Sequence, residues 1–195
     1  MIGARLIAAG LAGLALASCA TAPADVAPPP GSPTAASESR AARLARTLLA
    51  AERAEAADDG PALAEAAERL ARIAPEAASE ADEARLARWL EALPEDAPPM
   101  RGRALGPAYR SGTLDPGASA TLEQTFLGGR AAQIVLRVAK GPDLRLTVRD
   151  QADRQVCDGR ADPVECRWTP LYTQRHRIEI ANDGPRVSKF YIVFD

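Results

Sequence analysis

Histidine occurs once in the 195 residues, at His176, and lysine only twice. A single imidazole excludes most nucleophile–base triads and any histidine-rich metal site before a motif is sought. Aromatic side chains are nearly as scarce: there are eight, and apart from Trp89 none precedes Tyr109. The first half therefore lacks the bulk for a large core of its own, whereas the chain from Tyr109 onward has it. An excess of either charge is missing too. The formal net charge is −2, which argues against a general nucleic-acid binder, whose footprint is basic. What fills the chain instead is alanine, at 43 positions, and arginine, at 22. The length allows one or two small domains.

The N-terminus reads as an address. Arg5 supplies a positive start, and Leu6 to Ala17 form an apolar run, well short of the roughly 20 residues a membrane-spanning helix needs. The run ends in Leu16-Ala17-Ser18-Cys19, which resembles the bacterial lipobox. That resemblance implies a signal peptide over residues 1–18, a diacylglyceryl group on the Cys19 thiol and an acyl chain on its new amino group. No other cofactor is expected. Several acyl chains exceed the single-chain threshold below which anchoring is transient. Ala20 in place of an aspartate implies, by the sorting pattern of enteric bacteria, the periplasmic side of the outer membrane, the inner membrane being the alternative. Residues 19–37 follow as a Pro/Ala/Ser/Thr tether; its prolines oppose a helix, and in polyproline geometry it reaches roughly 55 Å.

Residues 38–94 carry helical periodicity. Leu44, Leu48 and Ala51 recur on one face, with Leu49 beside them. Asp58-Asp59-Gly60-Pro61 breaks the pattern, and Leu63, Ala67, Leu70 and Ile73 resume it as far as Pro75. Leu86, Leu90 and Leu93, with Trp89, form a third stripe, and Ser79 is placed to cap it. Three short helices in a small antiparallel bundle are expected. Each turn offers about one large apolar group, so the helices either pack closely through alanine or lean on the C-terminal half. Residues 50–75 faintly resemble a tetratricopeptide repeat, but Ala51, Ala54 and Leu63 depart from its pattern and no second copy follows, so a generic helical hairpin is favoured. Residues 37–99 hold 14 acidic and 8 basic residues, a net of −6.

After a linker over 95–108 the period changes to two. Ile134, Leu136 and Val138 alternate with Gln133, Arg137 and Ala139, and Leu144, Leu146 and Val148 alternate with Arg145, Thr147 and Arg149. Phe190, Ile192 and Phe194 follow the Asn182-Asp183-Gly184-Pro185 turn. Seven or eight short strands over 109–195 predict an antiparallel sandwich, making the whole chain α+β. The segments GTLDPGASATLEQTF, IVLRVAKGPDLRLTVRDQADRQVC, HRIEIANDG and FYIVFD together resemble a bacterial pre-peptidase C-terminal domain. That resemblance implies a jelly-roll-like module of the kind attached to secreted enzymes and surface proteins, some of which bind calcium or extracellular polymers. Arg145 stands where the family's Asp-Leu-Asp-Leu pattern has its second acid, which removes a ligand from any inherited calcium site.

Candidate site residues are few. Cys157 and Cys166 are expected to form a disulfide worth about 2–3 kcal/mol, with Trp168 beside it; a redox pair, or a zinc site completed by His176, is the sharper alternative. His176 shares a face with Ile178 and Ile180 and reads as a core histidine. Asp143, Asp150, Asp153, Asp158 and Asp162 are weak calcium candidates, interleaved with arginines. Arg137, Arg145, Arg149, Arg167 and Arg177 fall on outward positions, and on one sheet they would form a face for an anionic glycan, a lipid headgroup or the chain's own acidic helices. From residue 100 onward 15 basic and 11 acidic residues give a net of +4.

The expected function is a non-enzymatic binding or scaffold module, held at the envelope membrane by its lipid and serving an envelope protein or polymer. An accessory subunit of an envelope hydrolase, a calcium- or polysaccharide-binding sandwich and a spacer are the alternatives. Neither the ligand nor the oligomeric state is legible.

Overall fold

Three polar side chains decide where the helices begin. In the computed structural model, which describes residues 38–94 and 106–195, Ser39 Oγ accepts from the Ala42 amide at 3.1 Å and starts α1, Arg40–Ala56. Asp59 accepts from Ala62 N at 3.0 Å and starts α2, Gly60–Ile73, with Pro61 in the first turn, where its missing N–H costs nothing. Ser79 accepts from Asp82 N at 3.2 Å and starts α3, Glu80–Leu90, whose first turn holds Glu80, Asp82 and Glu83 against the positive end of the helix dipole. Ala74 ends α2 in a left-handed conformation (φ 52°) just before Pro75. The signal peptide, Cys19, the tether and most of the 95–108 linker lie outside the described residues.

Nine strands are described: β1 (Glu76–Ala77), β2 (Ala108–Leu114), β3 (Ser119–Phe126), β4 (Ala132–Lys140), β5 (Arg145–Arg149), β6 (Gln155–Arg160), β7 (Val164–Trp168), β8 (Gln174–Ala181) and β9 (Ser188–Phe194). They form two sheets, ordered β1-β2-β9-β4-β7 and β3-β8-β5-β6. Every pairing is antiparallel except that of the two-residue β1 with β2. The chain is therefore α+β, with a β-sandwich as its larger half.

The sandwich core is what the period-two pattern assigned inward: Ile134, Leu136, Leu146, Val148, Ile178, Ile180, Phe190 and Ile192 are all buried between the sheets. Gly112 makes room for one of them, because a Cβ there would stand 2.5 Å from the Phe190 ring. Cys157 on β6 and Cys166 on β7 are bonded, with Cα atoms 5.9 Å apart. Each strand is the outer edge of a different sheet, so the disulfide staples the two layers together at their open side.

The three expected helices form and pack in chain order, α1 on α2 and α2 on α3, and the layer also leans on the sheet. Ala41, Leu44, Ala45, Leu48 and Leu49 of α1 share a second core with Tyr109, Val135, Tyr191 and Val193, which lie on the outer face of the five-stranded sheet. Leu70 of α2 and Trp89 of α3 complete it. The physical reason is the alanine stripe: helix–helix contact alone offers α1 few large apolar partners, and the sheet face supplies the rest. The same contact explains β9, whose sequence Phe190-Tyr-Ile-Val-Phe194 has no polar face because the strand is covered on both sides.

Polar groups fix the seating of this layer. Tyr109 donates to Asp82 O at 3.0 Å. The buried Asp82 carboxylate accepts from Ser79 Oγ at 2.6 Å, from Ser111 N at 3.2 Å and from Ser111 Oγ. Tyr191 donates to Glu52, which also pairs with Lys189 at 2.7 Å and Arg85 at 3.7 Å. Burial holds both phenols protonated, raising their pKa well above the usual tyrosine range, with the neighbouring Asp82 and Glu52 charges adding to it. Among the described residues the acidic helices meet a strand cation in the Glu52–Lys189 pair, and Arg40 with Asp195 makes a looser pair of the reverse sense at 4.0 Å.

Candidate functional site

One end of the sandwich opens into a cleft of about 630 Å³. It lies where β3 and β7 end and β4 begins, and its walls include Phe126, Trp168, Ala132 and Phe194 from the core side. Trp168 stacks edge-on against Phe126, with centroids 4.8 Å apart. Its indole N–H donates to His176 Nε2 at 3.3 Å, and His176 Nδ1 faces Gln174 O at 3.3 Å. Both ring nitrogens of the only histidine are thus engaged, and the ring is completely buried, so it supports the aromatic wall from behind.

The rim is polar. Gln133, with its amide turned to satisfy both ends, donates to Ser39 Oγ at 2.9 Å and accepts from Arg167 Nε at 3.0 Å. Arg167 also lies 3.7 Å from Glu165. Arg130 lines the same cleft, and no hydrogen bond or ion pair engages its side chain among the described residues. The chain enters α1 at this wall, through Ser39, and leaves β9 at it, where Asp195 exchanges backbone hydrogen bonds with Gln133 at 2.8 and 3.0 Å.

The loops above the cleft, 127–131 and 169–173, lie backbone to backbone. Gly128 N donates to Thr173 Oγ1 at 3.0 Å and Gly129 N to Pro170 O at 2.8 Å. A Cβ on Gly128 would come within 2.8 Å of the Tyr172 and Thr173 main chain, and Gly129 has φ 71°. The Gly-Gly pair is therefore what lets the loops close on each other. Leu127, Leu171 and Tyr172 project from them into solvent.

The arginines singled out from sequence divide between the sheets. Arg145, Arg149 and Arg177 share the outer face of the four-stranded sheet, in register with Arg160 and Glu123. Arg137 and Arg167 lie on the other sheet, on the side that faces the helices. The three that are together are largely occupied: Arg145 chelates Asp183 at 3.0 and 3.2 Å, Arg177 pairs with Asp153, and Arg149 donates to Asp153 O at 3.2 Å. The Arg145 hydrogen bond holds Asp183 below the usual carboxylate range.

The five aspartates do not converge. Asp150 is taken by the Ala152 and Arg154 amides and the Arg154 guanidinium, which overcome the effect of burial and lower its pKa. Asp153 holds Arg177, Asp158 accepts from Thr147 Oγ1 at 2.9 Å, Asp162 accepts from Arg137 at 2.9 Å, and Asp143 is an exposed turn residue. Among the described residues no three acids, histidines or cysteines gather as a metal set would.

No protein-family model matches the chain, and no curated protein is significantly similar to it in sequence. Solved structures are similar to its β-sandwich half. One is the pre-peptidase C-terminal domain of collagenase from Bacillus anthracis, at 10% identity over 45% of this chain and 87% of that one, with a TM-score of 0.41. Another is PliG, a periplasmic lysozyme inhibitor of g-type lysozyme, from Aeromonas hydrophila, at 6% identity over 50% and 92% of the two chains, with a TM-score of 0.38. A third is the Yersinia pseudotuberculosis-derived mitogen, at 15% identity over 46% and 84%, with a TM-score of 0.39. The likeness is one of fold.

Sequence reasoning passed over the cleft itself. A signal for it was present: Leu127 precedes Gly128-Gly129 and Leu171-Tyr172 follows Pro170, so bulky apolar groups stand in turns where no alternation gives them an inner face.

Proposed function

We propose that this is a lipid-anchored envelope protein that works by binding, with Cys19 as its lipidated residue and the cleft end of the sandwich as its binding end. The observation that carries the reading is that an apolar aromatic wall, Phe126 and Trp168, shares an open cleft with Arg130, a cation with no partner among the described residues. Such a pairing suits a ligand with an apolar or flat body and an acidic group, presented by an envelope component. The aromatic wall is preorganised by His176 and the loops by their mutual hydrogen bonds, so little ordering cost falls on binding.

A photo-crosslinking side chain at Leu127, compared in living cells with one at Val187 on the far end, tests the assignment. Adducts are expected at Leu127, and Arg130→Glu is expected to reduce them severalfold. Adducts at Val187 with none at Leu127 would overturn the reading. The mass of the mature N-terminus tests the anchor separately: it should carry a diacylglyceryl and an acyl group on Cys19.

A further inference from the structure

Four large apolar side chains are exposed among the described residues, and three of them stand together: Leu127 at 50%, Leu171 at 80% and Tyr172 at 75%. The fourth, Val187, lies in the β8–β9 connection at the opposite end. The clustered three sit on the two loops that hydrogen-bond to each other and are wedged at Gly128. Their projection is therefore built into the backbone, and a fixed apolar tip of this kind marks a contact surface.

Cations stand near it. Arg130 has no partner among the described residues, Arg167 borders the cleft beneath while held by Gln133 and Glu165, and Arg175 near the start of β8 pairs with Glu123 at 3.0 Å. Apolar groups projecting beside guanidinium groups match the two layers of a phospholipid surface, acyl chains inside and phosphate outside. Tyr172 fits the boundary between them, with an apolar ring and a polar tip. The chain's own connection points the same way. It enters α1 at Ser39, which touches Gln133 in the cleft wall, so the described chain begins at the same end of the sandwich as the tip.

We propose that the tip is a membrane-contact surface: Leu127, Leu171 and Tyr172 enter the interfacial layer of an anionic phospholipid bilayer while Arg130 and Arg167 meet its phosphate groups. The lipid-anchored reading supplies the bilayer and the high local concentration. The affinity of the tip for lipid does not depend on it.

The test uses the mature chain with Cys19→Ser, exported behind a cleavable general secretory signal in place of residues 1–18, so that no acyl group is present. It is mixed with vesicles of phosphatidylethanolamine and phosphatidylglycerol at 3:1, and with pure phosphatidylcholine vesicles. Sedimentation with the anionic vesicles is expected, weakening as salt rises. Leu171→Ser with Tyr172→Ser should weaken it about tenfold or more, Arg130→Ser should weaken it on anionic vesicles alone, and Val187→Ser should leave it unchanged. Circular dichroism of each variant checks the fold. No sedimentation with anionic vesicles, or equal sedimentation of the Leu171/Tyr172 double variant, overturns the proposal. So does retention on peptidoglycan sacculi without vesicle binding. A wild-type N-terminus lacking acyl mass would refute the anchor and leave the vesicle result standing.

Discussion

Asp150 shows how a single residue can look like a ligand and be a structural element. Its carboxylate closes the β5–β6 turn by accepting from two backbone amides and one guanidinium, so its negative charge is already used. Its folded pKa is lowered, as is that of Asp183 under Arg145. A carboxylate depressed in the folded state stabilises fully above its unfolded pKa of about 3.9, and the contribution is lost as pH falls through the folded value. Asp150→Asn should therefore unfold at lower urea than the wild type at pH 7. The two urea midpoints should converge as pH drops from about 4 to 2, and a constant gap across that window would refute the assignment. Read from sequence, these aspartates lay close together in number; the side chains that occupy them, Arg154, Arg177, Thr147 and Arg137, became visible only with the strands in place.

Among the elements, β6 and β7 have the most to gain from a covalent tie. They are the free edges of opposite sheets, and β6 has a single strand partner. The Cys157–Cys166 disulfide closes a short loop, with a sequence separation of 9. In the loop-entropy account that is worth about 2–3 kcal/mol. Reduction, or Cys157→Ala with Cys166→Ala, should lower the unfolding free energy by that amount without changing the far-ultraviolet spectrum at low temperature. Loss of the whole sandwich spectrum on reduction would mean that the bridge is a condition of the fold and not a staple on it. The pairing was legible from sequence because only two thiols remain beyond Cys19 in a chain read as exported. That it joins two sheets was not, since strand order is a long-range property.

At the scale of the molecule, the helices share a second core with the outer face of the five-stranded sheet. Trp89 reports on the helix–sheet layer and Trp168 on the cleft end of the sandwich. The single-tryptophan variants Trp89→Phe and Trp168→Phe should each unfold with one midpoint that coincides with the loss of helical ellipticity. Two separated midpoints would show that the helices fold on their own. Leu48→Ala, fully buried against the sheet, should cost about 2–5 kcal/mol in that same single transition.

The sequence by itself determined the three helical stretches within 38–94, the cap at Ser79, the strand faces of β4, β5 and β9, and the bonding of Cys157 to Cys166, because each depends on residues close in the chain or on the two thiols left beyond Cys19. Tertiary structure alone decided the rest. It laid α1, with α2 and α3 packed beside it, on Val135, Tyr191 and Val193. It divided five arginines between two sheets, and it gathered Leu127, Arg130, Trp168, Leu171 and Tyr172 at one end. Those outcomes follow from which strands become neighbours, and strand neighbours are chosen by burying apolar area between residues as far apart in the chain as Ala108 and Phe194.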